Sequence, residues 1–317
     1  MPRTFRILSL DGGGIKGVFT AAFLAEIEKM AGVRMADYFD LIAGTSTGGI
    51  IALGLGIGLS ASQLLDFYLL NGNAIFPSVG IGVRFWREIR WALSGKHDSI
   101  QLKSALGSAF GDKKLSDSRT RLVIPAFNAT NGRATVFKTA HGDDLKKDHL
   151  ERCVDVALAT SAAPTILPGH DFADGRSYLD GGVWANNPML VGILEAITRL
   201  QQPAASVDVL SIGTTEEAFH VDQGLRKGAG FLKWFRQLVP LFMQAQADSV
   251  MNQSTLLLGV APYRVSPMVV PSRFGMDDAR QMSDLRALGF DCARREETSI
   301  SARFFGEVVT PFTPCHH

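Results

Sequence analysis

The sequence is short of several things, and each shortage removes a class of protein. Its three cysteines, Cys153, Cys292 and Cys315, are too few and too scattered for a disulfide framework or a zinc site. A reducing compartment is the natural expectation. Charge of one sign is lacking too: 32 Lys and Arg against 31 Asp and Glu leave a formal +1. No global field therefore draws the chain to nucleic acid or to an anionic membrane. Apolar stretches such as Ile50–Leu59 fall short of the roughly 20 residues that cross a bilayer. The opening MPRTFRILSLDGGG has neither the apolar core nor the small-residue cleavage site of a secretory signal. The expectation is a cytoplasmic, soluble protein that meets a membrane only from the side, at its inner face.

Repeats, low-complexity tracts and linkers are missing as well. The simplest organisation is one domain over residues 1–317, with a motif-bearing core at about 5–215 and a helical, variable part at about 216–317. Hydrophobic residues make up 46% and charged residues 20%, ordinary values for a globular chain long enough to bury a sizeable core.

Phe5–Leu10 is a short apolar run ended by Asp11 and three glycines, and reads as a buried strand. Val18–Met30 follows with apolar residues at helical spacing. Tyr38–Ala43 reads as a second strand, running through GTSTGG into Ile50–Gly58, apolar on all sides. Strand, glycine turn and helix, twice over, is the grammar of a parallel α/β sheet. Further strands are predicted at Arg121–Phe127, Ala134–Thr139, Ser177–Leu179 and Val207–Ile212. Further helices are predicted at Leu64–Asn71, Leu102–Phe110, His149–Thr160, Leu190–Leu200 and Met276–Leu288. Two aromatic, basic stretches, 78–99 and 225–241, interrupt this rhythm and read as insertions: a lid, a membrane-facing surface, a nucleotide pocket, or simply packed surface.

Three motifs carry chemistry. Gly44-Thr45-Ser46-Thr47-Gly48 is a G-x-S-x-G pattern between an apolar strand and a helix, the setting of a nucleophile elbow. There the serine hydroxyl stands over a helix N-terminus, whose partial positive charge favours an oxyanion. A helix-capping serine in a glycine turn is the plainer alternative. Gly12, Gly13 and Gly14 leave backbone N–H groups unshielded and suit an oxyanion hole. Gly12 to Gly17 also fits G-x-G-x-x-G, the loop of a dinucleotide-binding oxidoreductase, which wants an acidic residue about 20 positions on. Asp37 and Asp40 lie near that distance, yet they precede or begin the second strand instead of ending it. A structural glycine turn is the third reading.

A serine needs a base, and none of the seven histidines sits at the end of a clear apolar strand; His170 is the least unsuitable. Asp180, by contrast, ends a predicted strand and precedes Gly181-Gly182. A partly dry carboxylate there can act as general base, although Asp-Gly-Gly alone is most often a turn.

Taken in order, DGGGIKG at 11–17, GTSTGG at 44–49 and DGG at 180–182 leading into NNP closely resemble the patatin-like phospholipase family, from about residue 5 to 215. The resemblance implies a three-layer α/β/α fold with a mostly parallel sheet. It also implies hydrolysis of phospholipid esters by a dyad of nucleophile Ser46 and base Asp180, with Gly12, Gly13 and Gly14 as oxyanion hole and no metal or organic cofactor. A narrower likeness lies in GIIALGLGIGLSASQLLDFY and MDDARQMSDLRALG, which look like the phospholipase effectors of bacterial CBASS anti-phage systems. It implies activation by a cyclic dinucleotide, degradation of the cell's own membrane, and a homo-oligomer on activation. An ungated general lipid acyl hydrolase is the alternative.

Overall fold

The computed structural model describes residues 3–76, 99–164, 166–217, 227–228, 231–271 and 273–316. Most of the first expected insertion, 78–98, and residues 225–226 and 229–230 of the second lie outside the described residues.

β1 (Phe5–Leu10) is buried along its whole length, its apolar Phe5, Ile7, Leu8 and Leu10 interrupted only by Arg6 and Ser9. It pairs in parallel with β2 (Leu41–Gly44) on one side and β7 (Val207–Ile212) on the other. β2 continues in parallel to β3 (Arg121–Asn128), and β7 to the edge strand β9 (Tyr263–Val265). Antiparallel strands complete this eight-stranded sheet: β4 (Arg133–Lys138) and β6 (Ser177–Asp180) on β3, then β5 (His170–Asp171) on β6. β8 (Glu216–Glu217) and β10 (Met268–Val269) form a separate two-stranded ladder.

Helices cover both faces. On one lie α1 (Gly17–Ala31), α2 (Thr47–Gly56), α3 (Ala61–Ile75), α4 (Ser99–Phe110), α5 (Cys153–Ser161) and the C-terminal α9 (Met282–Phe304), enclosing the larger core with Leu8, Leu10 and Ile42. On the other, a smaller core of Phe5, Ile7, Leu41, Val207 and Val209 packs under α7 (Met189–Leu194) and Leu258 of α8 (Phe231–Leu258). The short α6 (Gly182–Ala185) joins β6 to α7. This is the expected three-layer arrangement. Local chemistry sets the helix starts: Ser60 and Gln63 form a reciprocal capping box ahead of α3, with N–H···O distances of 2.9 and 3.1 Å.

Several predicted elements shift. The strand predicted from Tyr38 begins only at Leu41, because Met35–Asp37 is a 3-10 turn and the Asp40 carboxylate accepts the Arg6 N–H at 2.9 Å. The helix predicted at His149–Thr160 is broken by extended backbone at Glu151 and Arg152. The helix predicted over Met276–Leu288 starts at Met282 and runs on to Phe304. Beyond Leu288 its exposed face is charged, and only Gly289, Cys292, Ala293, Ile300 and Phe304 mark the buried stripe. The second aromatic-basic stretch is in part the start of α8, a helix that contains Pro240.

Candidate active site

Two strands meet tip to tip beside β3. β4 occupies one edge of β3 along residues 123–128, so β2 and β6 must share the other. β2 ends its pairing at Ala43 opposite Val123, and β6, running the opposite way, ends at Asp180 opposite Ala126. Pro125 stands in the gap. On the edge shared by β2 and β6 no strand faces that position, although β4 pairs Val136 with it on the other. Its carbonyl is satisfied by the Thr160 hydroxyl at 2.6 Å.

From its tip β2 turns sharply through Ser46, which adopts φ 55° and ψ −124°. A non-glycine residue there carries strain of roughly 1–3 kcal/mol and persists only where its surroundings over-determine it. They do: the Ser46 N–H donates to Thr160 Oγ1 at 3.0 Å, and the Thr45 hydroxyl to the Ala185 carbonyl at 2.6 Å. A Cβ on Gly48 would sit 2.2 Å from the Leu10 carbonyl oxygen, so the turn after the serine admits only glycine. Tyr68 of α3 donates from its hydroxyl to the Thr47 carbonyl at 3.1 Å and pins the first turn of α2. Burial raises the Tyr68 phenol above its ordinary range, so it stays a neutral donor.

The Ser46 hydroxyl donates to Asp180 Oδ2 at 2.6 Å, while the Gly182 N–H donates to Oδ1 at 2.6 Å. Both side chains are buried, at 7% and 5% exposure. Burial pushes the Asp180 carboxyl up to about 6, with the Ser46 and Gly182 hydrogen bonds opposing the rise. The main chain holds it from the end of α5, where the carbonyls of Ala162, just past the helix, and Thr160 accept the Asp180 and Gly181 N–H groups at 2.9 and 3.2 Å. Thr160 therefore holds Ser46 through its hydroxyl and Gly181, the neighbour of Asp180, through its carbonyl. Nothing in its surroundings in the sequence marks it out.

Gly13 and Gly14 line the same cavity as Ser46 and Asp180. Their N–H groups meet no acceptor among the described residues, whereas Gly12 differs from expectation: its N–H donates to the Asn186 carbonyl at 3.0 Å. It is committed to the loop that follows Asp180 and is not free to bind an oxyanion. Thr47, opening α2, adds a first-turn amide of the kind that lacks a helical acceptor. Behind the loop, the buried Asp11 pairs with Arg264 at 2.8 Å. Burial disfavours the Arg264 charge, but Asp11 and Glu216 outweigh it and hold its proton more firmly than usual. Arg264, in a three-residue edge strand, has no motif around it.

The cavity encloses about 590 Å³, within the roughly 300–1,000 Å³ of small-molecule sites. Ile50, Phe67, Ile75 and Leu102 make its apolar wall, and Val239, Phe242 and Met243 of α8 line it from outside. Among the described residues no histidine lines it. His141 is engaged with Thr139 and Glu195, and His170 with Asp155 at 3.0 Å; His97, His220 and His317 lie outside the described residues. Asp40, one acidic candidate for a dinucleotide site, is tied to Arg3 and to the Arg6 backbone.

A deep serine on an elbow, bonded straight to a carboxylate, narrows the field, and a family profile decides it: the one described as Patatin-like phospholipase matches residues 8–193. The chain belongs to the patatin-like phospholipase family. Within that family it is 37% identical over 289 residues to a "cGAMP-activated phospholipase" of Pseudomonas aeruginosa, covering 90% of this chain and 82% of the relative. A protein of the same description from Vibrio cholerae is 36% identical over 272 residues, covering 80% and 76%. Among solved structures, VipD from Legionella pneumophila superposes with a TM-score of 0.50 at 12% identity, over 94% of this chain and 67% of that one. That likeness speaks for the patatin-like fold alone. The patatin-like chain is thus an esterase acting on lipids, and among its described residues no helix is long and apolar enough to cross a membrane.

Proposed function

We propose that the chain is a phospholipase whose nucleophile is Ser46 and whose general base is Asp180, and that cGAMP or a kindred cyclic dinucleotide switches it on. The observation that carries the dyad is the 2.6 Å hydrogen bond from the Ser46 hydroxyl to a buried carboxylate in an apolar cavity. In the acylation step the Ser46 oxygen attacks the ester carbonyl carbon while its proton passes to Asp180. The oxyanion so formed is met by the Gly13 and Gly14 amides. Collapse breaks the bond to the alcohol, and the proton on Asp180 leaves with the lysophospholipid. Water then attacks the acyl-serine with Asp180 again as base, the bond to the Ser46 oxygen breaks, Asp180 returns the proton to that oxygen, and fatty acid departs. A base held near pKa 6 is well matched to this traffic at neutral pH.

The switch is supported by relatives of 36–37% identity that bear the name cGAMP-activated phospholipase. Such an enzyme would meet the bilayer peripherally and destroy the membrane of its own cell, the behaviour of an anti-phage effector.

Fatty-acid release from phosphatidylethanolamine–phosphatidylglycerol vesicles, with and without cGAMP, tests both parts. Ser46→Ala and Asp180→Asn should each lose about 10³-fold or more in rate with an unchanged circular-dichroism spectrum. Wild-type turnover by Asp180→Asn would sink the dyad. Equal rates with and without every member of a cyclic-dinucleotide panel would sink the switch.

A further inference from the structure

The glycine loop is gripped from behind by a segment that none of the three motifs contains. Asp11, at the end of β1, places its carboxylate under the sheet, where Oδ2 accepts from Arg264 Nη2 at 2.8 Å. Ser9 of β1, Ser211 of β7 and Arg264 of β9 are register partners in a row across three strands. The guanidinium reaches along that row, donating from Nη1 to Ser211 Oγ at 2.9 Å and from Nε and Nη2 to Glu216 Oε1 at 3.2 and 2.9 Å. All three nitrogens are used. The same segment then returns to the loop, where the Met276 carbonyl accepts the Ile15 N–H at 2.9 Å. It also lies against Gly14, whose φ of +60° suits glycine and whose added Cβ would stand 2.2 Å from that oxygen. Asp277, next in line, borders the cavity with Ser46.

Amides stabilise an oxyanion to the extent that they are aimed before the charge develops. Gly13 and Gly14 have no side chains by which to anchor themselves, and glycine is the residue with most backbone freedom to lose. Their aim must be set by the residues on either side: Gly12, tied to the Asn186 carbonyl, with Asp11 before it, and Ile15; Arg264 holds Asp11 and the Met276 carbonyl holds Ile15. A guanidinium suits the task because its rigid fork fixes direction, where an ammonium supplies only charge.

We infer that Arg264 is a positioning residue for transition-state stabilisation: by clamping Asp11 it aims the Gly13 and Gly14 amides, so that the C-terminal strap sets the rate of acyl transfer. This rests on the reading of Gly13 and Gly14 as the oxyanion cradle.

The test uses full-length Arg264→Gln, Arg264→Lys and Ser211→Ala, with Arg294→Gln as control. Arg294 of α9 binds Glu26 of α1 at 3.1 Å and is not among the residues that line the cavity. Steady-state hydrolysis of p-nitrophenyl butyrate in the presence of cGAMP and the rate of Ser46 labelling by a fluorophosphonate are read well below each variant's Tm. Arg264→Gln should lose about 10²-fold in kcat, the order of one misplaced oxyanion donor, with KM within about threefold and labelling slowed in step. Arg264→Lys should fall about tenfold, and Arg294→Gln should keep kcat within about twofold even if its Tm drops. A folded Arg264→Gln with wild-type kcat and labelling overturns the inference; so does a loss confined to KM, or one matched by Arg294→Gln. Should Arg264→Gln fail to fold, wild-type kcat in both Arg264→Lys and Ser211→Ala overturns it instead. The underlying cradle fails separately: in a crystal structure of the wild-type fluorophosphonate adduct, the phosphoryl oxygen would lie away from the Gly13 and Gly14 amides.

Discussion

A buried carboxylate beside a serine sets two opposing pH dependences. As the proposed base Asp180 would act only when ionised, so kcat/KM should rise with pH through about 6 and level off above it. The stability change runs the other way. The folded-state carboxyl titrates at about 6 and the unfolded one near 3.8, so between those values the native state holds more protons. Stability from this group is therefore lost as pH rises through that window, at a cost on the order of 2–3 kcal/mol at neutral pH. Asp180→Asn, which cannot ionise, should be inactive yet raise Tm at pH 7.5 and lose that advantage below pH 4, as calorimetry across the range would record. A lower Tm for Asp180→Asn at pH 7.5 would contradict the burial cost. At this scale Ser46 and Asp180 were legible because flanking glycines announce a tight turn and a close approach. Thr160 and Arg264 were not, because a threonine at the end of an apolar helix and an arginine in a short strand carry no pattern of their own. Gly12 read as a donor because sequence cannot tell which carbonyl a backbone N–H will meet.

The elbow is an element-level device, and its tolerances are small. Gly48→Ala drives a methyl into the Leu10 carbonyl of β1, so it should destabilise the fold by about 3 kcal/mol or more, seen as a lowered midpoint in urea. Thr160→Val keeps the shape but removes the acceptor of the Ser46 N–H and the donor to Pro125. A loss of about 10–100-fold in kcat is expected, with stability reduced by 1–3 kcal/mol for the orphaned buried groups. β1 and β7 matched their predicted limits because short, mostly apolar runs ended by Asp or Gly have one physical reading. α8 was missed because Pro240 and a mixed aromatic-basic composition argue against a helix, and tertiary packing overrides that local preference. The π turn at Glu195–Arg199, after α7, likewise has no signature in the helical spacing of Leu190–Leu200.

At the scale of the whole molecule, α9 packs along α1, burying Leu285, Ile300 and Phe304 in the same core as Phe19 and Phe23. The region matched by the family, 8–193, thus leaves one face of its first helix uncovered without the last. We propose that residues 1–317 fold as one domain. A chain cut after residue 215 should lack a cooperative thermal transition and bind a hydrophobic dye, whereas the full chain should melt in a single calorimetric step. Two separate transitions in the full chain would divide it.

The meeting of β2 and β6 along one edge of β3 has a consequence for how this enzyme dies. The interval between Asp180 and the strand end that launches the Ser46 turn is measured out by the main chain of a central strand, at about 3.3 Å per residue. Such a ruler has no soft setting between intact and broken. On heating, the rate of hydrolysis of a small soluble ester should hold until the sheet itself gives way, so that the curves of inactivation and of lost ellipticity superimpose.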